Sequence, residues 1–294
     1  MASVRRRYVL YILAVVAAIY SLAPLYDLAS ISLMEPKQLV AGTLFAPTPS
    51  LDNYLRLIGL SAKALGNGGT PFSEADQLLA GLKNSIIVGV LVMGITMAAT
   101  VPAGYALGRL KVRGRTAMVG LLLGSRTLPP VSVALPYYFY FSSLHLRGTI
   151  EGLVIIQMSI TIPIVAWVMM GFFSALPRDI EMSARMDGCN RFQAFWRALL
   201  PLASPGIAAS AVIAFLFSWN DFFYSWLISS GSPAATYNAF LSVFLGGATS
   251  GSAPEPTLFA GAITIQIIVA VVVAGFLQRY ITSLKIVDPG TVAQ

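Results

Sequence analysis

Four residues with chemically useful side chains lie in or beside long apolar stretches of the chain: Arg126, Trp219, Asn220 and Asp221. Aromatic rings stack on the apolar faces of sugars, and planar polar groups hydrogen-bond to polar ligands. A charge such as that of Arg126 inside an apolar segment is costly unless it faces water or a partner. These residues are therefore candidates for a path through which a polar small molecule passes.

Each candidate also has a structural interpretation. Trp and Tyr are the usual residues at the surface of a bilayer, so Trp219 and the aromatic residues after it also fit an interfacial belt. Arg126 fits an ion pair with a carboxylate such as that of Asp221, or a contact between subunits, as well as it fits a path.

Several kinds of chemistry have no support in the sequence. There is no G-x-x-x-x-G-K-[ST] motif, so Walker-type binding of ATP is not expected. The single cysteine, Cys189, and the single histidine, His145, suggest neither a disulfide framework nor a metal cluster. An intramembrane hydrolase would need a clustered nucleophile and base, and none is visible. We therefore expect no catalytic residue and no cofactor or metal bound by the chain itself.

Composition places the chain in a membrane. Hydrophobic residues make up 56% of it and charged residues 11%, whereas a soluble chain has about 25% charged residues. The net charge is +7, but the basic residues flank apolar runs and form no stripe with interleaved aromatic residues, so nucleic-acid binding is not expected. The fold class indicated is an all-α membrane protein in contact with a lipid bilayer.

Six apolar segments are long enough to cross the hydrocarbon core as helices. They span about 8–28, 83–107, 117–141, 153–173, 207–228 and 259–280. In the third segment, Pro129 and Pro130 are expected to kink or break the helix, because each removes a backbone hydrogen bond. The first segment is read as a retained anchor, since its apolar run is longer than that of a signal peptide.

The positive charges orient these spans. Of the 19 Lys and Arg residues, 13 fall on the side that carries both termini and five on the other, with Arg126 inside a span. Because cytoplasmic loops collect Lys and Arg, both termini are expected in the cytoplasm. The chain is predicted to have four parts: a cytoplasmic tail with the first span (1–33), an external loop (34–80), a core that contains the other five spans (81–280) and a cytoplasmic tail (281–294).

The cytoplasmic loop 174–205 predicts two short helices. Pro177 suits a first helical position, and Gly188 suits a C-terminal cap with positive φ. Glu181 and Arg185 have the i,i+4 spacing of an ion pair. Asn190 is predicted to begin the second helix with a capping box, and apolar residues then recur at helical spacing up to Pro201. A protruding pair of helices of this kind is typical of an element that docks to a partner protein.

This loop resembles the EAA loop, E-A-A-x3-G-x9-I-x-L-P, of ABC importer permeases, with Asp187-Gly188 and Leu200-Pro201 at the matching positions. The remaining matches are to the carbohydrate-uptake branch, specifically the maltose-type six-span subunit: Asn84-Ser85, Ala103-Gly104-Tyr105-Ala106-Leu107-Gly108-Arg109, Pro129, Leu135-Pro136 and Trp219-Asn220-Asp221. The resemblance covers about residues 30–280.

The resemblance implies a type I ABC importer permease fold with a cytoplasmic coupling helix between spans 4 and 5, which docks into an ATPase. The implied coupling residues are Glu181, Met182, Ser183, Ala184, Arg185, Asp187 and Gly188. There are two departures: the E-A-A positions fall on Met182, Ser183 and Ala184, and the consensus Ile falls on Ala198. The nearest carboxylate, Glu181, lies about 100° around the helix from the position of the family glutamate.

The resemblance also implies the partners and the setting. We expect a second homologous permease subunit, a cytoplasmic ABC ATPase dimer that binds ATP and Mg, an extracytoplasmic solute-binding protein and a sugar substrate, in a prokaryotic cytoplasmic membrane. A sugar phosphate or a polyol fits the same scaffold. The alternative function is an ion-coupled secondary transporter, which would favour paired intramembrane carboxylates or discontinuous helices.

Overall fold

The computed structural model describes residues 2–42, 46–60, 73–245 and 256–282. All regular structure in these ranges is helical. The chain divides into two compact units, one from the described parts of Met1–Leu79 and Leu241–Ile268, the other from those of Ala80–Phe240 and Val269–Gln294. Outside the described residues lie two parts of the predicted external loop, 43–45 and 61–72, and most of the predicted tail, 283–294.

The first unit holds the N-terminal helix and two short helices. They are α1 (Ala2–Ser32), α2 (Pro36–Val40) and α3 (Asp52–Leu57). The buried Asn53 amide donates hydrogen bonds to the carbonyls of Ser32 (2.8 Å) and Met34 (2.9 Å), which ties α3 to the end of α1. The side chains of α1 are exposed from Arg7 to Asp27, as expected of a helix solvated by lipid.

The second unit contains most of the helices. They are α5 (Arg115–Gly124), α6 (Pro130–Ser143), α7 (Ile150–Ala175), α8 (Arg178–Met186), α9 (Arg191–Ala194), a π segment (Phe195–Leu199), α10 (Leu200–Leu202), α11 (Ser204–Trp219) and α12 (Phe223–Ser229). Three further helices have residues in both units: α4 (Ser73–Arg109), α13 (Tyr237–Leu245) and α14 (Pro256–Thr282). The central helix of the second unit is α7, which packs against α5, α11 and α12.

Four helical stretches among the described residues are long and apolar enough to cross a membrane: Arg7–Ser32, Asp76–Arg109, Ile150–Ala175 and Pro256–Gly275. A fifth is possible if the pair Arg191–Leu202 and Ser204–Trp219, bent by 75°, forms one span. The four correspond to the first, second, fourth and sixth predicted segments. The third and fifth predicted segments are not single helices.

The third segment, 117–141, is broken between Gly124 and Pro130. Pro129 has φ −60° and ψ 134°, an extended conformation that the following proline favours, and Pro130 then starts α6 at a position where its missing N–H has no cost. The prolines thus break this segment, as the sequence predicted. The break leaves Arg126 in a non-helical stretch, not within a continuous span.

The fifth segment, 207–228, is also broken, which the sequence did not predict. Helix α11 ends at Trp219, and α12 begins at Phe223. No proline marks this break, so its cause lies in tertiary hydrogen bonds that are described below. A second difference is α13, which lies between the fifth and sixth predicted segments, where the sequence predicted no helix.

Helices α4 and α7 approach each other closely through two glycines. A Cβ atom at Gly104 would lie 2.6 Å from Met169 Cβ and 2.9 Å from the Met169 carbonyl carbon, and one at Gly108 would lie 2.9 Å from the Met170 carbonyl oxygen. Small residues four apart allow two helix backbones to pack without side chains between them. This contact fixes the C-terminal half of α4 against the C-terminal half of α7.

The close approach predicts a strong difference between two glycines of α4. Gly104→Ala should destabilise the fold by about 1–3 kcal/mol, because the methyl group overlaps the Met169 backbone. Gly94→Ala is the matched control, since a Cβ there meets nothing within 4 Å. The measurement is the thermal midpoint of each purified variant, and equal midpoints would contradict the packing of α4 on α7.

Candidate functional site

A cavity of about 660 Å³ lies where the two broken segments and α7 meet. Its polar lining consists of Arg126, Gln157, Thr161, Asn220 and Asp221. The rest of its wall is apolar and aromatic: Pro130, Ile160, Ile213, Leu216, Phe217, Phe222, Phe223 and Tyr224. Its volume falls in the range of about 300–1,000 Å³ that is typical of small-molecule sites.

The break between α11 and α12 is held open by specific hydrogen bonds. A helix end leaves carbonyl groups unpaired, and here the buried Asn238 amide donates to the carbonyls of Trp219 (2.8 Å) and Asp221 (3.0 Å). At the start of α12, the Asp221 carboxylate accepts from the Ser225 amide N–H (2.9 Å) and hydroxyl (3.0 Å). The side chains of Asn238 and Asp221 therefore replace hydrogen bonds that a continuous helix would make.

Gln157 connects α7 to this break. It is 2% exposed in the middle of an apolar helix. Its amide nitrogen donates to Asp221 Oδ2 (3.1 Å) and Ser225 Oγ (3.1 Å), and its amide oxygen accepts from Ser218 Oγ. Because each of these buried polar groups has a partner, the network orients the Asp221 carboxylate at the cavity wall.

The structure brings together three of the four predicted path residues. Arg126, Asn220 and Asp221 line the same cavity. Trp219 does not line it, because its ring is 2% exposed and stacks on Phe215 at a centroid distance of 5.9 Å. Arg126 is exposed and forms no ion pair with Asp221 in the described part of the chain.

The second candidate element is α8 with the turn that follows it. Gly188 has φ +89°, and the Gly188 N–H donates to the Arg185 carbonyl while the Cys189 N–H donates to the Ala184 carbonyl. This pair of bonds is the Schellman motif that ends a helix on a glycine. Asn190 then forms a capping box with Gln193, as predicted.

One face of α8 is fixed to the transmembrane helices. Tyr105 Oη on α4 donates to Glu181 Oε1 (3.1 Å), and Arg109 Nη2 donates to the Pro177 carbonyl (3.1 Å). The Tyr105 ring packs against Phe173 and the π-segment residue Phe195, at centroid distances of 5.9 and 4.7 Å. The predicted Glu181 to Arg185 ion pair is not formed between these described side chains, because Glu181 turns toward Tyr105.

Most other side chains of α8 and of the turn after it are exposed. Met182 is 57% exposed and Met186 is 82% exposed, and the side chains of Ser183, Arg185 and Asp187 are exposed as well. The structure has Pro177 at the N-cap, one residue before the first helical residue, Arg178. The sequence had predicted Pro177 at the first helical position itself. Among the predicted coupling residues, only Glu181 and Ala184 lie on the half-buried side.

The sequence did not identify three residues that organise these sites. Gln157 was hidden in a uniformly apolar segment, although a lone amide there is itself a signal that a partner is buried nearby. Asn238 lies between two predicted apolar segments, where the sequence predicted no helix. Tyr105 was noted only as part of a motif, and its contact with Glu181 depends on helix packing.

A set of apolar helices, with two broken segments around a polar cavity, is typical of a multi-pass membrane protein that provides a path for a polar solute. Residues 100–285 match the family described as "Binding-protein-dependent transport system inner membrane component". The match covers more than half of the chain, and the chain therefore belongs to this family of ABC importer permeases.

The chain is similar to curated permeases over nearly its full length. It is 29% identical to the trehalose transport system permease protein SugB of Mycobacterium tuberculosis, with 90% of this chain and 91% of that protein covered. It is 28% identical to the trehalose/maltose transport system permease protein MalG of Thermococcus litoralis, with 95% of each covered.

A solved structure shares the fold. It is a chain of a bacterial ABC transporter involved in the import of the acidic polysaccharide alginate, with a TM-score of 0.73 at 20% identity, covering 95% of this chain and 98% of that chain. At this identity the likeness concerns the fold alone.

The hydrogen bonds predict opposite behaviour for two side chains near the break. Asn238→Ala should lower the free energy of unfolding by about 1–3 kcal/mol, because it leaves two buried carbonyls with fewer donors. Arg126→Met should leave the folded yield unchanged, because Arg126 is exposed and unpaired with Asp221. Size-exclusion profiles and thermal midpoints of both variants test this. A loss of folded protein with Arg126→Met would instead support the structural ion pair.

Proposed function

We propose that this chain is a permease subunit that imports a sugar through the cavity between α7 and the broken segments. The observation that carries the proposal is the cavity lining, in which a guanidinium, two amides and a carboxylate converge among aromatic rings. Such a wall suits a ligand with hydroxyl groups and apolar C–H faces. The similarity to permeases named for trehalose and maltose supports the same substrate class.

The proposed path residues have different roles. Arg126, Asn220 and Asp221 face the cavity, and we infer that they contact the substrate directly. Trp219, predicted for the path, would instead support the wall from behind, since its ring packs on Phe215.

We propose that α8 is the coupling helix. Its exposed side chains are available to an ATPase, namely Met182, Ser183, Arg185, Met186 and Asp187. Ala184 is half-buried, and Glu181 accepts a hydrogen bond from Tyr105 of α4. A push on the exposed face would pass to α4 through Tyr105 and Arg109.

We also propose the following assembly and topology. If each broken segment counts as one crossing, the chain crosses the membrane six times within 1–33 and 81–280. We infer from the distribution of Lys and Arg that both termini lie in the cytoplasm. The partners would be a second permease, an ATPase dimer that binds ATP and Mg, and a solute-binding protein. Family membership favours the ABC importer over a secondary transporter, although two of the predicted segments are discontinuous.

The test of this proposal is reconstitution of the chain alone and with its partner subunits. Uptake of trehalose or maltose should require the ATPase, ATP and the binding protein, and Arg126→Met in the full complex should change the KM for the sugar. An ion gradient that drives uptake through the lone chain would contradict the importer and support the secondary transporter.

The coupling proposal predicts a defect that depends on position. A β-branched residue at Gly188, with φ +89°, should cost about 1–2 kcal/mol locally and misdirect the chain after α8. We expect Gly188→Val to insert normally but to copurify less ATPase. Gly114→Val is the matched control, because Gly114 has φ +77° and equally open surroundings. Equal ATPase binding by both variants would show that α8 is not the docking element.

A further inference from the structure

A second cavity, of about 610 Å³, lies between the end of α4 and α8 and is strongly basic. Five cationic side chains line it: Arg109, Lys111, Arg178, Arg185 and Arg191. The acidic lining residue is Glu181, whose carboxylate accepts a hydrogen bond from Tyr105. Within the described part of the chain, none of the five cations forms an ion pair, so the cavity carries an excess of positive charge.

This cavity lies at the level where two membrane helices end. The candidate span of α4 ends at Arg109, and α7 ends at Ala175, three residues before Arg178. Helix C-termini attract cations, and the ends of spans lie among lipid headgroups. The five cations are therefore held where the phosphates of a bilayer lie, whichever way the chain is oriented.

Two exposed aromatic side chains follow the cavity-lining residue Arg191 in the sequence. Phe192 is 70% exposed, and Trp196 is 53% exposed. Their rings lie 6.0 Å apart in an edge-to-face arrangement, and Arg197 follows them. Aromatic rings next to arginines on an amphipathic segment are typical of contact with the boundary between headgroups and acyl chains.

We propose that the basic cavity binds the headgroup of an anionic phospholipid, such as phosphatidylglycerol, with its acyl chains beside Phe192 and Trp196. Guanidinium groups donate paired hydrogen bonds to phosphate oxygens, which suits Arg178 and Arg191. A lipid satisfies both features of the site, because it brings a negative headgroup and an apolar tail. An acidic segment of the ATPase would use only the charge. This inference goes beyond the proposed transport function and does not depend on the sugar.

The experiment titrates the purified full chain, in neutral detergent, with short-chain phosphatidylglycerol or with phosphatidylcholine, and follows the thermal midpoint. Phosphatidylglycerol should raise the midpoint more than phosphatidylcholine does, and high salt should reduce the difference.

Lys111→Gln combined with Arg178→Gln should weaken the response to phosphatidylglycerol by about tenfold or more. Arg113→Gln combined with Arg115→Gln removes the same charge from the neighbouring, non-lining residues and should leave the response unchanged. Arg191→Gln tests the same cavity independently.

Three results would overturn the proposal. The first is an equal response to the two lipids, or a preference that both cavity variants retain. The second is equal stabilisation by inorganic phosphate, which would identify a site for soluble phosphate. The third is a loss of ATPase copurification in the Lys111 and Arg178 double variant with its lipid response unchanged, which would assign the cavity to the ATPase.

Discussion

The structure of the polar cavity depends on how backbone groups at a broken apolar helix find hydrogen-bond partners. In a bilayer no water is available to an unpaired carbonyl, so a helix breaks only where the protein supplies donors and acceptors. Asn238 supplies the donors for Trp219 and Asp221, and the Asp221 side chain supplies the acceptor for the first turn of α12. The break turns Asn220 and Asp221 toward a cavity, whereas a continuous helix would distribute them around its circumference.

The same network explains why a charged group is tolerated in this place. The Asp221 carboxylate accepts from Gln157 and twice from Ser225, so its charge is distributed over three donors. Gln157 is in turn held by Ser218. A fully satisfied network fixes side-chain geometry, while a partly satisfied one would destabilise the fold. The polar wall of the cavity is thus rigid on the α7 side and open at Arg126 and Asn220.

Local signals in the sequence were sufficient for some elements and insufficient for others. The turn at Gly188, the capping box at Asn190 and the break before Pro130 were predicted, because each depends on residues within a few positions of each other. The break after Trp219 was missed because its cause, Asn238, is distant in sequence. The prediction of Arg185 as the partner of Glu181 was wrong for the same reason. An i,i+4 pair on an exposed helix contributes only about 0.2–0.5 kcal/mol. Glu181 instead accepts a hydrogen bond from Tyr105, which is distant in sequence.

The proposed coupling mechanism requires a rigid connection between α8 and the cavity, and α7 has the geometry for it. Gln157 and Thr161 line the cavity, and Ala175 ends the same helix beside α8. At 1.5 Å per residue, the distance from Gln157 to Ala175 along the axis is about 27 Å. Of the 26 residues of α7, 11 are buried, and Gly104 and Gly108 of α4 pack directly against its C-terminal part. If α8 is displaced as proposed, α4 and α7 would move as one packed pair, and the shift would reach the cavity through Gln157, which donates a hydrogen bond to Asp221 at its wall.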